Sequence, residues 1–267
     1  MEIEELIVEA TKGNKTALEG VVAAIQEDIY YLALRMLANP ENAKDATQEI
    51  LIKAITNLSS FRFESQFKTW VFRIAANHLV SAKKILKKDP GLTFDLYKQD
   101  LECDLQEPSY LQDDPEYPIL LNELCISCTM AMLLCLNPAH RITYIFGDIF
   151  EMGHVEASKI LSISKENIRK QLSRARSKII EFTSNSCGFV NSHAKCSCEN
   201  KLTGAIMRKR VSRDSICFAS DAQYSYNEVQ ESLQVTQQDL KTLALQTSIN
   251  HYKCPIKLSA IIESLVA

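Results

Sequence analysis

The chain has 267 residues, 30 Lys plus Arg against 33 Asp plus Glu, and nine cysteines. That length holds two small domains with their own cores. The scattered, odd-numbered cysteines argue for buried thiols over disulfides, no apolar run approaches a membrane span, and the acidic start MEIEELIVEATKGN is no secretory signal, so a cytoplasmic location without membrane contact is expected.

Hydrophobic periodicity predicts helices at 3–12, 15–37, 41–57 and 65–87. Pro40 fits the first turn of the third helix, where a missing amide costs little, and Asn39 fits its cap. On that helix Asp45, Gln48 and Glu49 share a face, since residues three and four apart are neighbours. Alone, this reads as a solvated acidic stripe. Ala46, Ile50, Ile52 or Ala54, and Ile55 read as its core face.

The next stretch, FRFESQFKTWVFRIAANHLVSAKKILKKD, interleaves Phe61, Phe63, Phe67, Trp70 and Phe72 with Arg62, Lys68, Arg73, Lys83, Lys84, Lys87 and Lys88. Aromatic faces accept unstacked bases and cations hold phosphates, which is what single-stranded nucleic acid needs. An amphipathic core helix with a solvated basic face would look the same. Trp70, Phe72 and Ile74 read as core, because burying large rings dominates a small domain's stability. Pro90 and Gly91 end this helix.

Residues 89–116 read as an acidic linker: from Asp95 to Glu123 the carboxylates meet only Lys98. Further helices follow at 117–134, 138–150, 155–161 and 165–184. The last two form a helix-turn-helix, with Ser164 as N-cap. Ile168, Leu172, Ala175 and Ile179 recur at helical spacing, opposite Lys165, Arg169, Lys170, Arg174, Arg176 and Lys178. Such a second helix enters a major groove, and its cations favour phosphate over a plain helical hairpin. Asn167 and Arg169 suit base edges. Arg174, Arg176 and Lys178 suit phosphates. Tyr144, Ile145, Ile149, Leu161, Ile163 and Ile168 read as the core beneath. The sequence thus divides into two basic modules joined by an acidic connector.

In order and separation, DATQEILIKAITNLSSFRFESQFKTWVFRIAANHLV and the helix-turn-helix ending RKQLSRARSKI resemble RNA polymerase sigma factors of the sigma-70 family, extracytoplasmic-function type. The resemblance spans roughly residues 5–185. It implies an all-α fold with region 2 at 1–88, the linker at 89–116, a region 4 helix-turn-helix at 117–185 and an extension at 186–267. It further implies that Asp45, Gln48 and Glu49 dock on core RNA polymerase. The loop Phe61, Arg62, Phe63, Glu64 and Ser65 would capture a base flipped from the minus-ten promoter element, a costly extrusion that its contacts must return. Lys68, Arg73, Asn77 and Lys84 would hold the strand. Lys165, Glu166, Asn167, Arg169, Lys170, Arg174, Arg176 and Lys178 would face the minus-thirty-five element. The family's loop is usually Gly-rich where Phe63 stands, which puts that loop's path in question. Promoter DNA and core polymerase are the expected partners. The family also admits an anti-sigma factor, whose existence the residues leave open.

Two further readings compete. A helix-turn-helix regulator with an N-terminal sensing or dimerisation module needs neither the DxxQE helix nor the basic aromatic one. A nucleic-acid enzyme would need a phosphate loop, a metal-spaced carboxylate cluster or a nucleophile motif, and none is present. No catalytic residue and no required cofactor is expected. In the tail, Cys187, His193, Cys196 and Cys198 would suit tetrahedral zinc. Their spacing is not that of a common finger, so free thiols or a redox pair compete. Beyond them lie the basic run MRKRVSR and an amphipathic helix near 227–246, without a readable role.

Overall fold

A computed structural model describes residues 2–81, 91–107, 110–221, 224–248 and 253–256. The fold is all-α. Among the described residues the only β pairing is an isolated bridge between Ser212 and Ser215. The chain divides into two units. Unit 1 takes Met1–Lys88, Met152–Arg169 and Tyr252–Ala267; unit 2 takes Asp89–Glu151 and Lys170–His251.

Unit 1 opens with α1 (Ile3–Thr11), whose first turn is closed by a reciprocal capping box between Glu2 and Glu5. Asn14 caps α2 (Lys15–Ala23) by accepting from the Ala17 amide. α3 (Gln26–Leu37) is a separate helix, where the apolar pattern predicted one helix through both. Ile25 leaves helical geometry at φ −126° and buries its side chain. Periodicity does not register such a turn, because the buried hinge residue is itself apolar. α4 (Pro40–Thr56) has Pro40 in its first turn and Asn39 accepting from the Asn42 amide. α5 (Phe67–Ser81) packs on α3 and α4. Ile29, Leu32, Leu34, Met36, Ile50, Leu51, Phe72 and Leu79 fill the core.

Unit 2 begins with a helix where a linker was expected. Thr93 caps α6 (Phe94–Glu102). Asp95, Lys98 and Glu102 are exposed, while Tyr97 and Leu101 are buried and Tyr97 stacks on Phe182 at 5.4 Å. Four-residue spacing of two apolar side chains was too thin a signal among so many carboxylates. α7 (Tyr117–Leu134) is long and apolar enough to cross a membrane, contrary to the sequence expectation, but 61% of it is buried inside the protein. Leu120, Leu121, Leu124 and Cys125 sit in one core with residues of the extension, among them Val190, Leu202, Val229, Leu233 and Leu245.

α8 (Pro138–Tyr144) is capped by Asn137 and runs into a π turn, Ile145–Ile149. Gly147 in that turn lets Leu172 approach: a Cβ there would lie 2.8 Å from a Leu172 methyl carbon. α9 (His154–Leu161) belongs to unit 1, and α10 (Lys165–Ser186) begins there and continues in unit 2. The extension adds α11 (Cys198–Met207), α12 (Tyr226–Val235) and α13 (Lys241–Thr247). The last two replace the single helix expected near 227–246.

The acidic segment and the basic run of the tail answer each other. Arg208 pairs with Asp104 and Asp100, Arg210 with Asp100, and Arg213 with Asp114 and Glu116. Buried Glu123 accepts from the amides of Cys217, Phe218 and Ala219 at 3.0, 2.7 and 2.8 Å. Residues 186–248 of the extension are therefore built into unit 2.

Candidate polymerase and nucleic-acid interfaces

α4 turns Ala43, Ala46, Thr47, Ile50, Leu51 and Ala54 inward. Ile52 and Ile55, read as possible core, are only half-buried. The opposite face leaves Asp45 and Glu49 exposed and Gln48 half-buried. Glu49 lies 3.9 Å from His78 Nε2, while Lys53 Nζ meets Nδ1 of the same ring at 2.7 Å. This face is polar, solvated and carried on a long rigid helix, as a protein-docking surface requires.

The loop between α4 and α5 separates its two aromatic residues by fate. Phe61 is buried, with ring centroids 5.4 Å from Phe67 and 5.5 Å from Trp70. It is a foundation of the loop, which corrects its reading as a base contact. Phe63 is 48% exposed and leans on Phe61 at 4.8 Å. Its backbone is left-handed, φ 56°, a conformation that disfavours side chains with a Cβ. The Gly-rich expectation at this position has the same physical cause. Arg62, Glu64 and Ser65 are exposed beside it.

On α5, Phe72 is fully buried, while Trp70 and Ile74 are half-buried. Asn77 is exposed. Two of the expected strand contacts already have protein partners. Lys68 pairs with Asp28 at 2.7 Å and lies 5.6 Å from the Phe72 ring centroid. Arg73 donates to the Lys159 carbonyl of α9 at 2.9 Å. Buried Thr69 donates to Glu156 of the same helix at 3.4 Å. Lys84 lies outside the described residues.

The bend between α9 and α10 is held by local contacts. Ser162 is left-handed at φ 55°, Ser158 Oγ donates to the Ile163 carbonyl, and Ser164 Oγ accepts from the Asn167 amide at 3.2 Å. Lys165, Glu166, Asn167, Arg169, Lys170, Arg174 and Lys178 are exposed along α10. A backbone hydrogen bond at the helix start, then Ser164, hold the Glu166 carboxyl below its usual range. Burial, with the charges of Lys178 and Arg174 added, pushes His140 down, so a positive field crosses this part of the helix. Tyr144, Ile145, Ile149 and Ile168 are buried, whereas Leu161 and Ile163 are half-buried.

Arg176 is the correction on this helix. Its Nε and Nη2 grip Asp148 of the π turn at 3.0 and 2.5 Å. Asp148 is nearly buried, 4% exposed. A guanidinium held by a two-pronged ion pair is committed to the fold, not to a phosphate. Asp148 was invisible as its partner, since a lone carboxylate in an apolar run carries no signal of what it faces.

The tail quartet does not assemble as expected either. Cys187, Cys196 and Cys198 line one cavity, joined by Cys128 of α7. His193 is exposed along another, beside Gln230 and Gln238.

Residues 21–85 match the family model described as sigma-70 region 2. The chain is 29% identical over 178 residues to the ECF RNA polymerase sigma factor SigW of Bacillus subtilis strain 168, covering 66% of this chain and 94% of that protein. It is 37% identical over 82 residues to the RNA polymerase sigma-H factor of Pseudomonas aeruginosa, covering 29% of this chain and 42% of that one. Among solved structures, the sigma factor RpoE in complex with the anti-sigma factor NepR from Bartonella quintana aligns with a TM-score of 0.42 at 19% identity, covering 61% of this chain and 94% of that chain.

Proposed function

We infer that this chain, an RNA polymerase sigma factor of the sigma-70 family and extracytoplasmic-function type, binds core RNA polymerase and directs promoter recognition and transcription initiation. The region 2 match over residues 21–85 carries the reading. As a specificity subunit it performs no chemistry of its own. It works in the cytoplasm, where polymerase and promoter DNA are.

The division of labour rests on exposure. Asp45, Gln48 and Glu49 are the polymerase-facing residues, and their accessibility on α4 supports that role. Phe63, with Arg62, Glu64 and Ser65 beside it, is the accessible aromatic face for a flipped base of the minus-ten element. Lys68, Arg73, Asn77 and Lys84 serve the strand, the first two after release from Asp28 and Lys159. On α10, Asn167 and Arg169 read base edges, Lys165, Glu166 and Lys170 flank them, and Arg174 and Lys178 hold phosphates of the minus-thirty-five element.

Run-off transcription with purified core enzyme over a genomic library tests this. Promoter-dependent transcripts that require the chain are expected. Failure to co-purify with core enzyme, together with no added transcripts, would refute it.

A further inference from the structure

Residues of α6, α7 and α11 line a cavity of about 390 Å³ within unit 2. Organic ligands occupy pockets of roughly 300–1,000 Å³ with apolar walls and a few converging polar groups. This cavity has that make-up. Leu92, Leu96, Leu101, Leu124, Ala131 and Ala205 form an aliphatic wall, and Lys201, Arg210 and Asp100 supply charge. Leu96, 54% exposed, forms its rim.

The polar part carries an unanswered charge. Lys201 is 3% exposed, and its ammonium donates to the backbone carbonyls of Asp100 and, at 2.7 Å, Cys103. An ammonium has three donors, and among the described residues no acceptor takes the third. A buried charge ordinarily has a partner of opposite sign. Asp100 is the one acid in the described lining. It is already held by Arg210 through both carboxylate oxygens and by Arg208 at 3.5 Å. Arg208 also pairs with Asp104. Lys201, Arg208 and Arg210 thus share two carboxylates, which leaves one positive charge over.

We propose that this cavity binds a monocarboxylate with an unbranched aliphatic chain, its head on Lys201 and its chain along the leucines to Leu96. One excess positive charge matches one carboxylate. A phosphate monoester, with a charge of about −2, would leave a buried negative charge instead. The carboxylate accepts the third ammonium proton in a charge-assisted hydrogen bond, and the chain covers the exposed leucine. Occupancy ties α6, in the segment between the two basic modules, to the extension. The inference stands apart from the promoter reading, since no step of it needs polymerase or DNA.

Isothermal titration calorimetry of the full chain with octanoate, octanol and acetate tests it. Octanoate should bind at one equivalent. Octanol keeps the chain without the charge, and acetate keeps the charge without the chain. Each should bind weaker by about tenfold or more, the worth of one charge-assisted hydrogen bond or of the lost apolar burial. Lys201→Met should weaken octanoate by the same factor. Leu96→Asp, at the exposed rim, should do so with a native ligand-free melt. No saturable octanoate binding, octanol as good as octanoate, or unchanged affinity in either variant overturns the proposal. Should a variant misfold by circular dichroism, the three ligands on the native chain decide.

Discussion

Arg176→Ala separates a structural cation from a DNA-binding one. The guanidinium is 51% exposed, but the Asp148 carboxylate that it holds is 4% exposed. Removing one partner of a fully buried pair costs about 3–5 kcal/mol, and a fully exposed pair is worth about 0–1 kcal/mol. This pair is half of each. Two charge-assisted hydrogen bonds to a buried acceptor place the loss at about 2 kcal/mol. For a chain of this size that lowers the melting temperature by about 4–8 °C. Differential scanning calorimetry of the full chain reads it, and Asp148→Asn should cost a similar amount. The double variant should cost much less than the sum, since neither group is then left buried alone. The opposite outcome is equally specific. Native melting in Arg176→Ala, with the salt slope of DNA binding reduced by about 0.9, would return Arg176 to the phosphate contacts.

Lysine at Asp45 or Glu49 should weaken core polymerase binding without changing the melt, and unchanged affinity in a pull-down titration would mean that another face docks. Phe63→Gly should melt later than Phe63→Ala by the equivalent of about 1 kcal/mol, because both lose the ring but only glycine loses the left-handed strain; equal melts would remove the strain. Arg169→Ala should relax selectivity at one base position and Lys178→Ala should weaken all sites alike, as binding-site selection at two salt concentrations would reveal. Burial raises the Asp100 carboxyl, yet Arg210, Lys201 and Arg208 outweigh it and hold it below its ordinary value of 3.8. The link from α6 to the tail is therefore fully present above that value and is lost as pH falls through the lowered one. Hydrogen exchange at 94–102 should stay protected at pH 5 and open in stronger acid, and opening already at pH 5 would contradict it.

What the sequence revealed follows from how local each signal is. Asn39–Pro40 and Ser164 mark helix starts through contacts within a single turn, and both were readable. The exposed face of α4 was readable because burial of Ala46, Ile50 and Ala54 leaves Asp45 and Glu49 only one way to point. Pairings between distant segments were not. The carboxylates of 95–116 look like a solvated linker until Arg208, Arg210 and Arg213 arrive from a hundred residues away. Cys128 joins Cys196 in the same way, across the fold. Phe61 and Phe63 are the same residue type, and the left-handed backbone at Phe63 that accompanies its outward ring leaves no mark in the pattern.

The apolar character of α7 has a consequence for synthesis. Its helix is complete at Leu134, but Leu202, Leu233 and Leu245 that cover it come later in the chain. At roughly 5–20 residues per second, a ribosome needs on the order of ten seconds to supply them. For that interval the nascent chain carries a helix greasy enough to tempt a membrane-targeting receptor or a neighbouring polysome. Its burial is complete only once the chain has been made through Leu245.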